Sequence, residues 1–213
     1  MNVLICFPGG TGGHFIGALV KYLSTKQLFK VSENGDVHSF NCSKFLEGIL
    51  LDHSVESYSQ EFDVINKLFN FDIAIGHFRN LAVLEKQIKK IIYISFEPND
   101  IDDVSQRLIS KITDISESQY NLLAGANWPA YYDYLNGTIV NELVDLRLKF
   151  LSEWYYIIPS NRKNLCEIKF IELTKGYDFV DKLAEFLDVK DFDNQKIYAI
   201  IDEYRNKNRP SGA

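Results

Sequence analysis

The chain has 213 residues, of which 46% are hydrophobic and 24% are charged, and its formal net charge is −6. Its length and apolar content exclude a disordered chain and support one hydrophobic core, so we expect a single domain over residues 1–213. The acidic balance argues against a general nucleic-acid binder, and no apolar run is long enough to span a bilayer.

The cysteines indicate a reducing compartment. There are three of them, and no pair among Cys6, Cys42 and Cys166 has the spacing of a metal site. Cys6 and Cys166 lie in strand-like runs, where cysteine acts as a small buried apolar residue. Because the start of the chain also has no cleavable signal, we expect a cytoplasmic protein without a bound metal.

The first predicted element is an apolar strand over residues 2–7, followed by a glycine-rich loop at 8–14 and a helix to about Thr25. Glycines let successive backbone N–H groups turn toward one point, and the helix start adds the positive end of its dipole. This layout predicts a phosphate-type anion site formed by Gly9, Gly10, Thr11, Gly12, Gly13, His14 and Phe15. The alternative is a tight glycine turn that binds no ligand.

The loop matches only part of the Walker A motif, which reads Gly, four residues, Gly, Lys and then Ser or Thr. With Gly13 as the second glycine, His14 stands at the lysine and Phe15 at the hydroxyl position. Pro8 stands at the first glycine. A nucleotide kinase would therefore lack two of the groups that hold Mg-ATP.

Beyond the first helix, the chain alternates amphipathic stretches, which predict helices, with short apolar runs, which predict buried strands. The elements predicted in this part are a hairpin at 30–40, helices at 43–53 and 59–69, a strand at 72–76, a helix at 80–88 and a strand at 91–96. Asp100 or Asp102 can cap the helix that follows.

The second half of the chain begins with a polar, aromatic segment at 116–136, which predicts a lid or an acceptor-facing insertion. Its aromatic residues could line an acceptor pocket, or they could pack a helix onto the core. The elements predicted after it are a long helix at 138–156, a last strand at 166–173, helices at 177–187 and 194–207, and a polar tail at 205–213.

Strands that alternate with helices predict an α/β fold of three layers, with a mostly parallel sheet covered by helices on both faces. We expect the strand at 2–7 to be central in this sheet. Ligands of such sheets bind beyond the carboxyl ends of the strands. This rule brings the loop at 8–14 and the corners at 76–79 and 96–105 to the same edge.

The order of these features resembles the cytosolic-type sulfotransferases, which have a P-loop NTPase-like fold. The resemblance rests on the glycine loop, on the strand Asp72–Gly76 that runs into His77, and on the strand Lys90–Ser95 that leads to Ser105. The run from Ile168 to Leu187 is also similar to the last strand and helix of that family. The resemblance covers most of the chain in order.

The resemblance implies a sulfuryl transferase whose glycine loop holds the 5′ sulfate-phosphate end of the donor 3′-phosphoadenosine 5′-phosphosulfate. It places His77 at the catalytic base and Ser105 near the serine that holds the 3′-phosphate. An imidazole can take a proton from an acceptor hydroxyl or amine as that group attacks sulfur. The implied partners are the phosphonucleotide and an acceptor that the sequence does not identify.

This chain departs from the family at its cations. Gly9 or Gly10 stands where the family has the loop lysine, and the loop has one extra residue. Phe96 or Glu97 stands where an arginine would hold the 3′-phosphate, and a glutamate there would repel it. His14 could replace the lysine as a donor to the anion; its alternative role is that of an exposed first-turn residue.

Other cations could compensate for the missing arginine. Arg79 and Arg107 follow the two strands that lead to the predicted site, and each could instead be a solvated surface residue. The basic donor loop of the family is only hinted at by the run from 205 to 212, which includes Lys207 and Arg209. Three functions therefore stay open: a sulfotransferase-like enzyme, a non-enzymatic binding or assembly protein with a lost donor site, and a nucleotide or small-molecule kinase.

Overall fold

The computed structural model describes residues 3–7, 11–26, 49–52, 73–76, 80–84, 88–101, 103–104 and 156–208. The chain divides into two compact units, Met1–Phe96 with Tyr155–Asn208, and Glu97–Trp154 with Arg209–Ala213. The prediction of a single domain stays a prediction. The predicted hairpin at 30–40, the helix at 59–69 and the segment at 116–136 lie outside the described residues.

The first unit is built on a five-stranded parallel sheet with the order β2-β3-β1-β4-β5. The strands are β1 (Val3–Cys6), β2 (Ile49–Asp52), β3 (Ile73–Gly76), β4 (Lys90–Ser95) and β5 (Leu165–Lys169). The central place of the first strand is confirmed, with β3 and β4 as its neighbours. The register aligns Cys6 with Gly76 and with Tyr93, so β1 and β3 end at the same edge.

Helices cover both faces of this sheet. They are α1 (Gly13–Thr25), α2 (Leu81–Leu84), α3 (Phe170–Thr174), α4 (Asp178–Leu187) and α5 (Asn194–Lys207). On one face, α1 approaches the sheet so closely at Gly17 that an added Cβ would lie 2.3 Å from the Ile75 side chain. On the other face, Leu81 and Leu84 of α2 pack against Leu4 of β1. The predicted three-layer α/β class is confirmed.

Two predicted elements are wrong in part. Residues 49–52 form a strand and not the end of a helix at 43–53, because the short apolar run Ile49–Leu51 fits a buried strand as well as a helix. The last strand ends at Lys169 and not at residue 173. The Glu172 carboxylate accepts the Lys169 N–H at 2.7 Å, which closes the first turn of α3 and ends the strand.

Three smaller differences concern the ends of elements. Ile88 lies outside α2, and Tyr156 lies outside any helix, although the patterns extended a helix to each. Residues 205–207 belong to α5 and not to a polar tail. Asp100 closes a 3-10 turn at Pro98–Asp100, where its carboxylate accepts the Glu97 N–H at 2.7 Å.

The core of the first unit contains both described cysteines as free thiols. Cys6 is 0% and Cys166 is 5% exposed, as their strand patterns predict. Burial raises the pKa of the Cys166 thiol to about 11, so it stays protonated at neutral pH. Among the described residues, no helix has both the length and the apolar character needed to cross a membrane.

Candidate functional site

The connection from β1 to α1 lies at the carboxyl edge of the sheet, at its central strand. Thr11 is fully buried, and Gly12 caps α1 with φ 88° and ψ 20°, a left-handed conformation that favours glycine. The Ile16 N–H donates to the Gly12 carbonyl at 3.1 Å and begins the hydrogen bonding of the helix. Gly9 and Gly10, the other predicted glycines of the site, lie outside the described residues.

The Phe7 ring supports the start of α1 from the strand side. A Cβ at Gly13 would lie 2.0 Å from this ring, so only glycine allows such a close approach. The ring also meets His14 edge-on, with ring centroids 5.1 Å apart and an angle of 78°. His14 is only 7% exposed, which rules out the alternative of an exposed first-turn residue.

The last described helix contacts the same loop from the other end of the sequence. The Tyr204 ring of α5 stacks on Phe15, with centroids 3.8 Å apart and planes 8° apart. Its hydroxyl oxygen would lie 2.7 Å from a Cβ at Gly12. Sequence reasoning missed this residue, because position 204 continues the buried stripe of Ile197 and Ile201 and reads as ordinary core.

Tyr156 lies at the carboxyl ends of two strands, on the α2 face of the sheet. Its hydroxyl is 3.2 Å from the Cys6 carbonyl oxygen and 2.9 Å from the Ile94 carbonyl oxygen. Its ring meets Tyr93 edge-on at 4.9 Å. The sequence pattern offered no signal for these contacts, since Tyr156 is 150 positions from Cys6 and 62 positions from Ile94.

The electrostatics of the loop come from its backbone and from one histidine. No Lys, Arg, Asp or Glu occurs from Val3 to Val20. The first-turn N–H groups of an α-helix have no acceptor within the helix, and they carry the positive end of its dipole. An anion here would meet no competing carboxylate from this part of the sequence, in which His14 is the only side chain that can carry a positive charge.

The remaining predicted site residues fall into two groups. Five of them lie outside the described residues, and their roles stay predictions: His77, Ser105, Arg79, Arg107 and Arg209. The corner after β4, within the second unit, carries Glu97 and the buried carboxylate of Asp100. In the described part of this corner, residues 97–101 and 103–104, no cation stands where the family resemblance calls for one.

Two cations near the end of α5 have structural partners. Arg205 donates from Nε to the Leu173 carbonyl at 2.8 Å, and also bonds the Gly176 carbonyl. The Leu173 carbonyl lies in the last turn of α3, where a cation stabilises the helix dipole, and the Gly176 carbonyl lies just beyond that helix. Lys207 pairs with Glu203 at 2.7 Å. The hint of a basic donor loop beginning at residue 205 is therefore wrong for residues 205–207.

No protein-family model matches the sequence, and neither does any curated protein. Among solved structures, the crystal structure of mouse sulfotransferase SULT7A1 complexed with PAP matches this chain with a TM-score of 0.50 and 17% identity. The match covers 100% of this chain and 66% of that chain, so this chain spans about two thirds of the mouse protein. The likeness establishes the fold, which is that of the sulfotransferases.

Proposed function

We propose that this protein is a sulfotransferase-like enzyme that holds the 5′ end of a phosphonucleotide donor at the β1–α1 loop. The observation that carries the proposal is the loop itself, which lies at the central strand of a parallel sheet. Its backbone is held by contacts that only Gly12 and Gly13 permit. The fold likeness to a sulfotransferase complexed with PAP supports the same class of ligand.

Within this proposal, the start of α1 binds the anion through backbone N–H groups. His14 takes the place of the missing lysine. The helix dipole disfavours the protonated imidazole, whereas a bound anion favours it, so binding of the anion and protonation of His14 would support each other.

The donor, when bound, supplies an activated sulfuryl group. His77 would accept the proton of the acceptor hydroxyl or amine as that group attacks sulfur and the bond from sulfur to the donor phosphate breaks. The register supports this role, because β3 ends at Gly76 beside Cys6 and His77 is the next residue in the sequence.

The first experiment is calorimetry with 3′-phosphoadenosine 5′-phosphate (PAP), adenosine 5′-phosphate and Mg-ATP. Because the corner after β4 is acidic, the contact that distinguishes a 3′-phosphate is expected to be missing. One charge-assisted hydrogen bond contributes about 1.5–3 kcal/mol, which corresponds to roughly tenfold to a hundredfold in affinity. We expect weak binding of PAP with little preference over adenosine 5′-phosphate, and weaker binding of Mg-ATP.

A second experiment addresses the base. In a transfer assay, His77→Ala should lower activity by about a hundredfold or more, because general base catalysis is lost. The affinity for the donor should not change. His38→Ala is a suitable control, since no role in the site is assigned to His38. An equally active His77→Ala variant would refute the assignment of the base.

The acidic corner after β4 favours one alternative, a non-enzymatic binding or assembly protein that keeps the fold but not the donor site. Failure of all three nucleotides to bind would support this alternative and reject the enzyme. Tight binding of PAP with strong discrimination for the 3′-phosphate would instead indicate a full sulfotransferase donor site. In that case another cation must replace the missing arginine, and the sequence offers Arg79, Arg107, Lys207 and Arg209 as candidates.

A further inference from the structure

One hydroxyl joins the carboxyl ends of the two neighbouring strands β1 and β4. The Tyr156 oxygen lies 3.2 Å from the Cys6 carbonyl oxygen and 2.9 Å from the Ile94 carbonyl oxygen. Cys6 is the last residue of β1, and Ile94 is the last but one of β4. A buried carbonyl near the end of a strand needs a hydrogen-bond donor. The single phenolic hydrogen of Tyr156 is shared between the Cys6 and Ile94 carbonyls.

The position of this hydroxyl is set by packing. The Tyr156 ring meets Tyr93 edge-on, with centroids 4.9 Å apart. It also packs against the core cluster on the α2 face of the sheet, which includes Leu81, Leu84 and Ile91. A ring held on several sides has few alternative rotamers, so its oxygen stays at the ends of the strands.

A path of direct contacts leads from this oxygen to the candidate site. The Cys6 carbonyl precedes Phe7 in the chain, and the Phe7 ring supports both Gly13 and His14 at the start of α1. A change in the direction of the Cys6 carbonyl rotates the Cys6–Phe7 peptide plane, and this rotation moves the Phe7 ring. The first turn of α1, which leaves no space at Gly13, must then move with it.

We propose that Tyr156 is a positioning residue for the β1–α1 loop. It fixes the Cys6 carbonyl, and through Phe7 it fixes the N–H groups at the start of α1. The inference rests on the proposed function for the identity of the ligand, but its structural content concerns the free protein. It assigns to the loop a support that comes from a distant part of the sequence and touches no ligand.

The test compares Tyr156→Phe with Tyr93→Phe. Both variants remove one phenolic oxygen from the same pair of rings, but the Tyr93 hydroxyl bonds the Glu167 side chain and not a carbonyl at the end of β1. The amide resonances of Gly12 and Gly13 are recorded by NMR without ligand. The affinity for inorganic sulfate and for PAP is then measured well below the melting temperature.

We expect the Gly12 and Gly13 resonances to shift in Tyr156→Phe and to stay in place in Tyr93→Phe. Sulfate affinity should fall roughly threefold to tenfold in Tyr156→Phe, the effect of losing one neutral hydrogen bond. Unchanged Gly12 and Gly13 resonances in Tyr156→Phe would overturn the inference. If wild type binds neither anion but the resonances shift as expected, the proposed function fails while the positioning role of Tyr156 stands.

Discussion

The sheet has an amino edge, where its parallel strands begin, and a carboxyl edge, where they end. These two edges are held by different kinds of interaction. At the amino edge, lysines fasten the connection between α4 and α5. Lys90, the first residue of β4, bonds the Asp188 carboxylate and the Phe186 carbonyl, each at 2.6 Å, and Lys26 at the end of α1 bonds the Asp191 carbonyl. At the carboxyl edge, aromatic rings and glycine contacts hold the β1–α1 loop.

This difference has a physical consequence. The charges of the amino edge lie near solvent, where ion pairs contribute little and are easily replaced. At the carboxyl edge, the packing at Gly12 and Gly13 leaves no room for a Cβ, and residues 3–20 contain no Lys, Arg, Asp or Glu. An edge of this second kind can stabilise a charge that arrives with a ligand, because no carboxylate from this part of the sequence competes for its N–H groups.

The largest effect should come from filling the space under the start of α1. Gly13→Ala places a methyl group 2.0 Å from the Phe7 ring. We expect the free energy of unfolding in urea to fall by about 3 kcal/mol, at the upper end of typical overpacking costs. In a Phe7→Ala background the same change should cost at least about 1 kcal/mol less, because the two residues are in contact. Additive losses would contradict the close packing of this edge.

Alanine substitutions at two glycines should have a smaller effect on stability, and they distinguish the cost of a left-handed backbone from the cost of a steric contact. Gly12 and Gly176 both have positive φ, at 88° and 72°, but only at Gly12 does a Cβ meet another group, the Tyr204 hydroxyl. Each change to alanine should cost about 1–2 kcal/mol from the left-handed backbone. Gly12→Ala should cost more in urea unfolding, and Tyr204→Phe should recover part of this excess. Equal losses of unfolding free energy at the two glycines would contradict the contact between the Tyr204 hydroxyl and Gly12.

The smallest effect is expected at the amino edge. Asp188 is 84% exposed in its side chain, so Asp188→Asn should lower the melting temperature less than Gly12→Ala does, and added salt should reduce the difference. Asp191→Asn is the matched control in the same connection, because Lys26 bonds the carbonyl of Asp191 and not its carboxylate. A loss that is large or independent of salt would contradict the exposed character of this ion pair.

The same pair predicts a dependence on pH. The hydrogen bond from Lys90, and then its positive charge, hold the pKa of Asp188 below its usual value of 3.8. A carboxylate with a lowered pKa in the folded state contributes stability above its unfolded pKa and loses it as the pH falls through the folded value. The difference in melting temperature between wild type and Asp188→Asn should therefore be full at neutral pH, and it should shrink as the pH falls through the lowered pKa of the folded state. A difference in melting temperature that grows as the pH falls would contradict the lowered pKa of Asp188.

The sequence predicted the sheet well where its patterns were local. β1, β3 and β4 are apolar runs bounded by turns, and the helices α1, α4 and α5 are amphipathic over ten residues or more. β2 was missed because its apolar run is short and carries no period that distinguishes a strand from a helix. The glycine loop was found because its composition is itself the signal.

The contacts that hold the loop could not be predicted in this way. Tyr156 and Tyr204 act through a single hydroxyl or ring face against residues at the other end of the chain. Neither position differs from a core tyrosine in its local pattern. The positions of His77 and Ser105 stay predictions, since they depend on the family resemblance and lie outside the described residues.

The stacking of Tyr204 on Phe15 has a consequence for the order in which the protein matures. A ribosome makes the glycine loop first and α5 much later, so the loop lacks its Tyr204 contact until most of the chain has been synthesised. Contacts of such long sequence separation form late because closing a long loop costs entropy. We therefore expect nascent chains that end before residue 204 to leave the Phe15 ring uncovered, and the loop to reach its final form only as the last described helix docks.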